Sequence, residues 1–320
     1  MPAFNASNYI ERCIVSIIRQ RYLNVELIII DDGSSDDTYN ICYKYQQKDS
    51  RIKIFKKENE GPGAAREFAL TFITGDFITF VDADDYVQED IYEIMLSYMT
   101  KEGLDIVECS YKEVDVFGNT LNQCILENEY IESEFCSIHY AVQKNVTNFL
   151  WNKLFRKELF SNIEFPHLFA GEDSCVLTQV YEKARKIRVI DTQLYNYVMT
   201  SNSLCRTEFS KKKLDSIIAG EFIYNFYMRN NVKLSGCAAY YICSYAAQSY
   251  CEVSNSQIED KEQILNWLAK TFKTYYNKIE TKSIILRQIS KSRRVFVMLF
   301  NFNKNMCKVI YGIRKRVVNR

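Results

Sequence analysis

The 320-residue sequence predicts an α/β fold, a doubly wound and mostly parallel sheet followed by a helical C-terminal region. Three observations carry that expectation. Short apolar runs at 25–30, 76–81 and 104–109 alternate with segments of about a dozen residues whose apolar positions recur at helical spacing. Two of those runs end in carboxylates, Asp31-Asp32 and Asp82-Ala83-Asp84-Asp85, at the strand ends where open α/β sheets bind ligands. From about Phe209 onward the reading is helical, with no repeat and no low-complexity tract.

Taken in order, Tyr9, Ile10, Cys13, Ile14, Ile17 and Ile18 mark a first helix, with Ser7 as its expected cap. Val25 to Ile30 reads as a buried strand, and 37–47 as a helix with Ile41 and Tyr45 inward. Arg51 to Phe55 alternates as a strand. Pro62 suits the first turn of a helix whose inner face is Ala65, Phe68, Ala69 and Phe72. Asp76 to Val81 is the next strand, 88–100 a helix, and Leu104 to Cys109 a further strand. Beyond it the pattern loosens. Gly118-Asn119 marks a hairpin turn, and 151–155 and 186–190 read as strand or strand–helix segments. The expected organisation is a domain over 1–205, with halves 1–110 and 111–205, then a helical region over 206–320.

Composition is that of a folded globular chain: 47% apolar, 25% charged, three prolines and ten glycines. The eleven cysteines include no C-x-x-C pair and there are two histidines, so a zinc site is not expected and free thiols in a reducing cytoplasm are. The net charge of +1 hides an asymmetry. Residues 281–320 hold eleven Lys/Arg and no acid, which leaves 30 basic against 40 acidic residues, net −10, for the rest. An acidic body with a basic tail suggests an anionic surface as the tail's partner. No nucleic-acid partner is expected.

Phe80-Val81-Asp82-Ala83-Asp84-Asp85 places three carboxylates within four positions after an apolar strand. Such crowding is relieved by a cation, and hard oxygen ligands suit Mg²⁺ or Mn²⁺ holding a phosphate. The bland alternative is a solvated turn capping the next helix. Asp31-Asp32-Gly33-Ser34 follows the strand ending at Ile30; a carboxylate there can accept from a base or a ribose, or merely cap a helix. Glu58 to Arg66 is a glycine-rich loop feeding a helix, a phosphate cradle without the G-K-[ST] of a P-loop, or an ordinary helix start. Gly171-Glu172-Asp173 precedes an apolar helix and offers either charge stabilisation or a carboxylate base. In Met1-Pro2-Ala3-Phe4-Asn5 an aromatic stands where it could stack on a nucleobase.

In this order and spacing the motifs, with Trp151-Asn152-Lys153-Leu154-Phe155, resemble the inverting, GT-A-fold glycosyltransferases of family 2. The resemblance covers about residues 1–205. It implies a metal-dependent transferase that moves a sugar from a nucleotide-diphospho-sugar, a UDP-sugar by expectation. The acceptor would be a glycan or a lipid-linked molecule in cell-surface polysaccharide synthesis. It implies Phe4 near the nucleobase with Asp32 bonding to it, Asp82 at the ribose and Asp84 on the Mn²⁺ or Mg²⁺. Arg66 would lie near the phosphates or support the loop, and Asp173 would be the general base. Two departures stand out. Tyr195-Asn196-Tyr197 is followed by Val198-Met199 where the family often has Arg or His, and the family's first strand, just before Pro2, is absent. The expectation is therefore that Met1 is an internal residue of that strand, that the native protein begins upstream, and that a gap flanks Val25 to Ile30. The competing readings are a sugar-1-phosphate nucleotidyltransferase, whose phosphate loop is missing, and an inactive sugar-nucleotide-binding or scaffold protein.

In the tail, Arg293, Arg294, Lys304, Lys308, Arg314, Lys315 and Arg316 interleave with Val295 to Phe300, Val309, Ile310 and Tyr311. The longest apolar run, six residues, is far short of the ~20 that span a bilayer. The expectation is an interfacial helix over 291–320 on an anionic membrane surface, with the protein cytoplasmic and peripheral on the inner face.

Overall fold

The structure is a computed structural model that describes residues 1–200, 209–279, 285–308 and 311. The chain divides into two compact units: Met1–Tyr140 with Asn145–Ser203, and Ala141–Lys144 with Leu204–Arg320.

In the first unit β1 (Pro2–Ala3), β2 (Leu27–Asp31) and β3 (Ile52–Lys56) form a parallel sheet in that order. Alternation fixes both faces of β2, which is buried throughout. Leu27 and Ile29 join one cluster with α1 (Ile10–Ile18) and α2 (Thr38–Gln46). Ile28 and Ile30 pack with Ala65 and Ala69 of α3 (Pro62–Leu70). Tyr9 rather than Ser7 stands at the start of α1, and the Ser7 amide donates instead to Asp36 Oδ2 (3.1 Å). Phe72 lies just past α3 and stacks on Phe55 at 3.9 Å.

A second, seven-stranded sheet follows. Its members are β4 (Phe77–Thr79), β5 (Tyr86–Val87), β6 (Ile106–Val114), β7 (Thr120–Cys124), β8 (Glu129–Glu132), β9 (Lys153–Arg156) and β10 (Lys186–Val198). The central order is β4-β9-β6-β10-β5. The α/β class is the expected one. The sense of pairing changes along the chain: within this sheet only β6 and β10 run parallel, and the other pairs are antiparallel. The helix α4 (Ile91–Glu102) packs Ile91, Met95 and Met99 into the first core, while α5 (Phe135–Val142) and α6 (Glu172–Lys183) bury Tyr140, Val176, Val180 and Tyr181 in a second one. The β6–β7 hairpin turns at Gly118-Asn119, where the Asp115 carboxylate accepts from the Phe117 and Asn119 amides.

Among the described residues β2 is paired on its β1 side by Met1–Ala3 alone: Met1 N donates to the Ile28 carbonyl (2.9 Å) and the Ile30 amide to the Met1 carbonyl (3.0 Å). Beyond Met1 an open cleft of about 450 Å³ runs between Val25–Ile28 and Asp76–Val81. Burial there lowers the Met1 ammonium to a pKa of about 5.

The second unit is helical: α7 (Asp215–Asn230), α8 (Val232–Ser254), α9 (Lys261–Tyr276) and α10 (Lys291–Phe302) surround a core that includes Ile217, Ile242, Cys243, Leu268, Phe272 and Phe300. No helix among the described residues is long and apolar enough to cross a membrane.

Candidate active site

The five motifs converge at the carboxyl ends of the strands. β1 delivers Phe4, which is exposed, and Asn5, whose Oδ1 accepts from the Ser35 amide (2.9 Å). That bond ties the loop after β1 to the loop after β2. Asp32 is buried; Oδ1 accepts from Lys57 Nζ (3.0 Å) and the Glu60 amide (3.2 Å), and Oδ2 from the Gly61 amide (2.8 Å). This carboxylate therefore anchors the 57–61 loop, and a bond to a nucleobase would use its remaining lone pairs. Gly63 is where that loop meets the later motif: a Cβ there would lie 3.0 Å from the Pro166 carbonyl oxygen and 3.5 Å from the Glu172 side chain.

The strand β4 ends before Phe80, and the backbone carries Asp82 to Asp85 around a turn gripped from three sides. Cys13 Sγ donates to the Asp82 carbonyl (3.4 Å), Arg12 Nη2 to the Asp84 carbonyl (3.4 Å), and the Asp82 amide to the Tyr195 hydroxyl (3.2 Å). Asp85, to which the sequence assigned no role, is fully buried; it accepts from the Tyr195 hydroxyl (2.8 Å) and the Val198 amide (2.7 Å), which fastens β10 to the turn. Burial, and then the charge of Asp82, raises Asp84 to about 6. Among the described residues no three or more His, Cys, Asp or Glu are grouped to hold a metal. A cation at Asp84 would thus have one or two protein carboxylates and complete its shell with phosphate and water. That donor set fits Mg²⁺ or Mn²⁺.

Arg66 is 4% exposed and stands at the centre. Its Nη2 donates to Asp82 Oδ1 (2.9 Å), and its Nη1 to Glu172 Oε1 (3.1 Å) and Asp173 Oδ1 (2.8 Å). Burial opposes its charge, but three carboxylates outweigh burial and raise its pKa. Gly171, with φ of 87°, turns the chain so that Glu172 and Asp173 open α6. Asp173 Oδ2 accepts from the Leu150 amide (3.2 Å). Burial lifts Asp173 to about 7, against the pull of Arg66. A carboxylate with its pKa near neutrality is suited to proton abstraction.

Behind the site lies a buried network built on Lys153 and Asn152 of the Trp151–Phe155 motif and on Glu108. Lys153 Nζ and Glu108 Oε1 form an ion pair at 3.2 Å with both side chains wholly enclosed. Glu108 also accepts from the Thr147 amide (2.8 Å), Asn152 Nδ2 (3.2 Å) and the Tyr181 hydroxyl (3.0 Å). Lys153 also donates to the Thr147 carbonyl (3.1 Å) and the Phe149 carbonyl (2.6 Å). Every member is partnered, as a buried ion pair requires. The network fixes the loop that presents the Leu150 amide to Asp173. The sequence signals for it are a lysine two residues after a tryptophan and, more strongly, Glu108 inside an apolar strand.

Residues 1–164 match the family model of glycosyl transferase family 2. The chain is 30% identical over 214 residues to Glycosyltransferase GlyA of Streptococcus pneumoniae, covering 64% of this chain and 31% of GlyA. It is 28% identical over 242 residues to Glycosyltransferase GlyG of the same organism, covering 69% of this chain and 80% of GlyG. The chain thus spans about a third of GlyA's length and most of GlyG's. Among solved structures, S. aureus TarS 1–349 in complex with UDP-GlcNAc superimposes with a TM-score of 0.73 at 19% identity, covering 98% of this chain and 90% of TarS 1–349. That likeness speaks to the fold.

Proposed function

The chain belongs to glycosyl transferase family 2, and from that premise we propose that it transfers a sugar from a UDP-sugar to a hydroxyl of a glycan or lipid-linked acceptor, with inversion. The observation that carries this reading is the shared arginine: Arg66 holds Asp82, on the donor side, and Asp173, the candidate base, within one guanidinium. Phe4 and Asp32 would flank the nucleobase, and Asp82 the ribose. Asp84, with Asp82 beside it, would hold Mg²⁺ or Mn²⁺, which when bound neutralises charge developing on the departing diphosphate. Asp173 accepts the proton of the acceptor hydroxyl as that oxygen attacks the anomeric carbon in line. Arg66 and the Leu150 amide keep Asp173 in place and stabilise its charged form. That TarS was solved with UDP-GlcNAc supports UDP as the nucleotide.

We further propose that the acceptor lies at an anionic membrane surface, met by α10. Val297 and Phe300 face the core of the second unit, whereas Val295, Met298 (62% exposed) and Phe302 (86% exposed) form an outward apolar row beside Lys291. Arg314, Lys315, Arg316, Val309 and Ile310, named in the sequence analysis, lie outside the described residues.

The test is release of free UDP from UDP-, GDP- and dTDP-sugars with and without Mn²⁺ or Mg²⁺. UDP release with one UDP-sugar, lost on chelation, is the expected result. Nucleotide-sugar binding with no release under any metal would instead identify an inactive binding or scaffold protein.

A further inference from the structure

We infer that Phe149 is the platform on which the acceptor's sugar ring stacks while its hydroxyl faces Asp173; the proposal rests on the transferase reading above. Phe149 is 37% exposed, yet it is held like a core residue. One ring face stacks on Trp151 at 4.7 Å and 13°. Trp151, itself buried, stacks on Tyr195 at 4.3 Å and on Tyr197 at 5.6 Å. The Tyr195 hydroxyl is bonded in turn to Asp85 and to the Asp82 amide. The ring ladder therefore runs from the Asp82–Asp85 turn to Phe149 as its outer member. The backbone is fixed as firmly, because the Phe149 carbonyl accepts from buried Lys153 at 2.6 Å and the next amide, that of Leu150, donates to Asp173 at 3.2 Å.

A single exposed phenylalanine needs no explanation on an ordinary surface. This one differs because its place is over-determined and because it adjoins the candidate base. Consecutive Cα atoms lie about 3.8 Å apart, so the ring is rooted one residue from the amide that holds Asp173. An aromatic face is electron-rich and attracts the polarised C–H bonds on the apolar face of a pyranose. A ring stacked there would present its hydroxyls at the rim, toward the carboxylate. The ligand class is therefore a pyranoside acceptor, rather than a linear polyol or a bare lipid alcohol.

Saturation-transfer NMR with methyl β-pyranosides and with glycerol, on the full chain with UDP and Mn²⁺, reads binding without turnover. The expected result is transfer to ring C–H protons of a pyranoside but not to glycerol, lost in Phe149→Ala and kept in Phe149→Trp. In turnover with the active UDP-sugar, Phe149→Ala should raise the KM for the pyranoside by about 10- to 100-fold, the scale of losing one stacking aromatic. Phe149→Leu, apolar but without a π-face, should behave as Phe149→Ala, and a preserved melting temperature in either shows the fold intact. Unchanged pyranoside binding in Phe149→Ala would overturn the proposal. Pyranoside binding that needs Phe149, in a protein that never releases UDP, would uphold the platform and overturn the transferase reading instead.

Discussion

At the scale of single residues, two carboxylates with raised pKa values test different parts of the proposal. As the proposed base Asp173 would act only when ionised, and burial lifts its pKa to about 7. The sign follows: a raised carboxylate is protonated below that value, so kcat/KM should fall about tenfold per pH unit below pH 7 and level off above it. Asp173→Asn should bind UDP as before and lose turnover by roughly 10²–10⁴, without that acidic limb in what remains. A collapse of UDP affinity would place Asp173 in the donor site or the frame. Asp84 is raised too, first by burial and then by the charge of Asp82. Its folded pKa lies above the unfolded one, so its charge weakens the metal-free protein at neutral pH. Asp84→Ala should abolish transfer and leave the metal-free melting temperature unchanged or slightly higher; full activity with Mn²⁺ would remove Asp84 from the metal site.

At the scale of elements, Arg66 ties α3 to the start of α6 and to the turn after β4, through partners 106, 107 and 16 positions away. Arg66→Met keeps the length but strands three carboxylates. Breaking one side of a buried ion network costs about 3–5 kcal/mol, so a clear drop in the thermal midpoint is expected along with loss of activity. A midpoint within 2 °C of the parent, on the order of what a surface change gives, would show that the carboxylates relax into water. The edge of β2 offers a second test. The Met1 ammonium is forced down to about 5 by burial beside an open cleft of about 450 Å³. Near pH 7, between the folded value and the ordinary value of 8.0, such a lowered amine costs roughly 1.4 kcal/mol, since the unfolded chain binds the proton more tightly. Adding Val-Ser-Ile-Ile before Met1 replaces the ammonium with an amide and supplies apolar strand residues parallel to β2. Calorimetry should show a higher melting temperature near neutral pH; no gain would mean the cleft does not accept a strand.

At the scale of the whole molecule, charge is partitioned along the chain. Residues 281–320 carry eleven of the 41 basic residues and none of the 40 acidic ones, and α10 exposes Val295, Met298 and Phe302. Each basic residue near an anionic lipid surface contributes on the order of 1 kcal/mol, a gain that salt weakens. The full chain should float with anionic but not neutral liposomes, less so at high salt, and deletion of 291–320 should end it. Equal flotation with neutral vesicles would leave the apolar row as the sole cause, and no flotation would remove the membrane from the proposal.

By itself the sequence determined the α/β class, the positions of β2, β3 and α1 to α4 to within a few residues, and the carboxylates that end the strands. Those features are local: a strand buried on both faces must be apolar throughout, as Leu27 to Ile30 is, and a helix against it must repeat its apolar face. Legibility failed where long-range partners decide. The apolar pattern marks β10 only to Ile190, where Asp191, Thr192 and Gln193 break it; pairing with β6 carries the strand past them through register shifts to Val198. The antiparallel sense of β4, β9 and β5 depends on which edge each finds, which no local period encodes. In the site the motifs identified Asp82 and Asp173, but not that Arg66 joins them, nor that Lys153 and Glu108 hold the loop whose amide meets Asp173. Only tertiary structure could decide that, because a buried charge is tolerable solely beside its partners, and those partners lie tens to more than a hundred residues away in the chain.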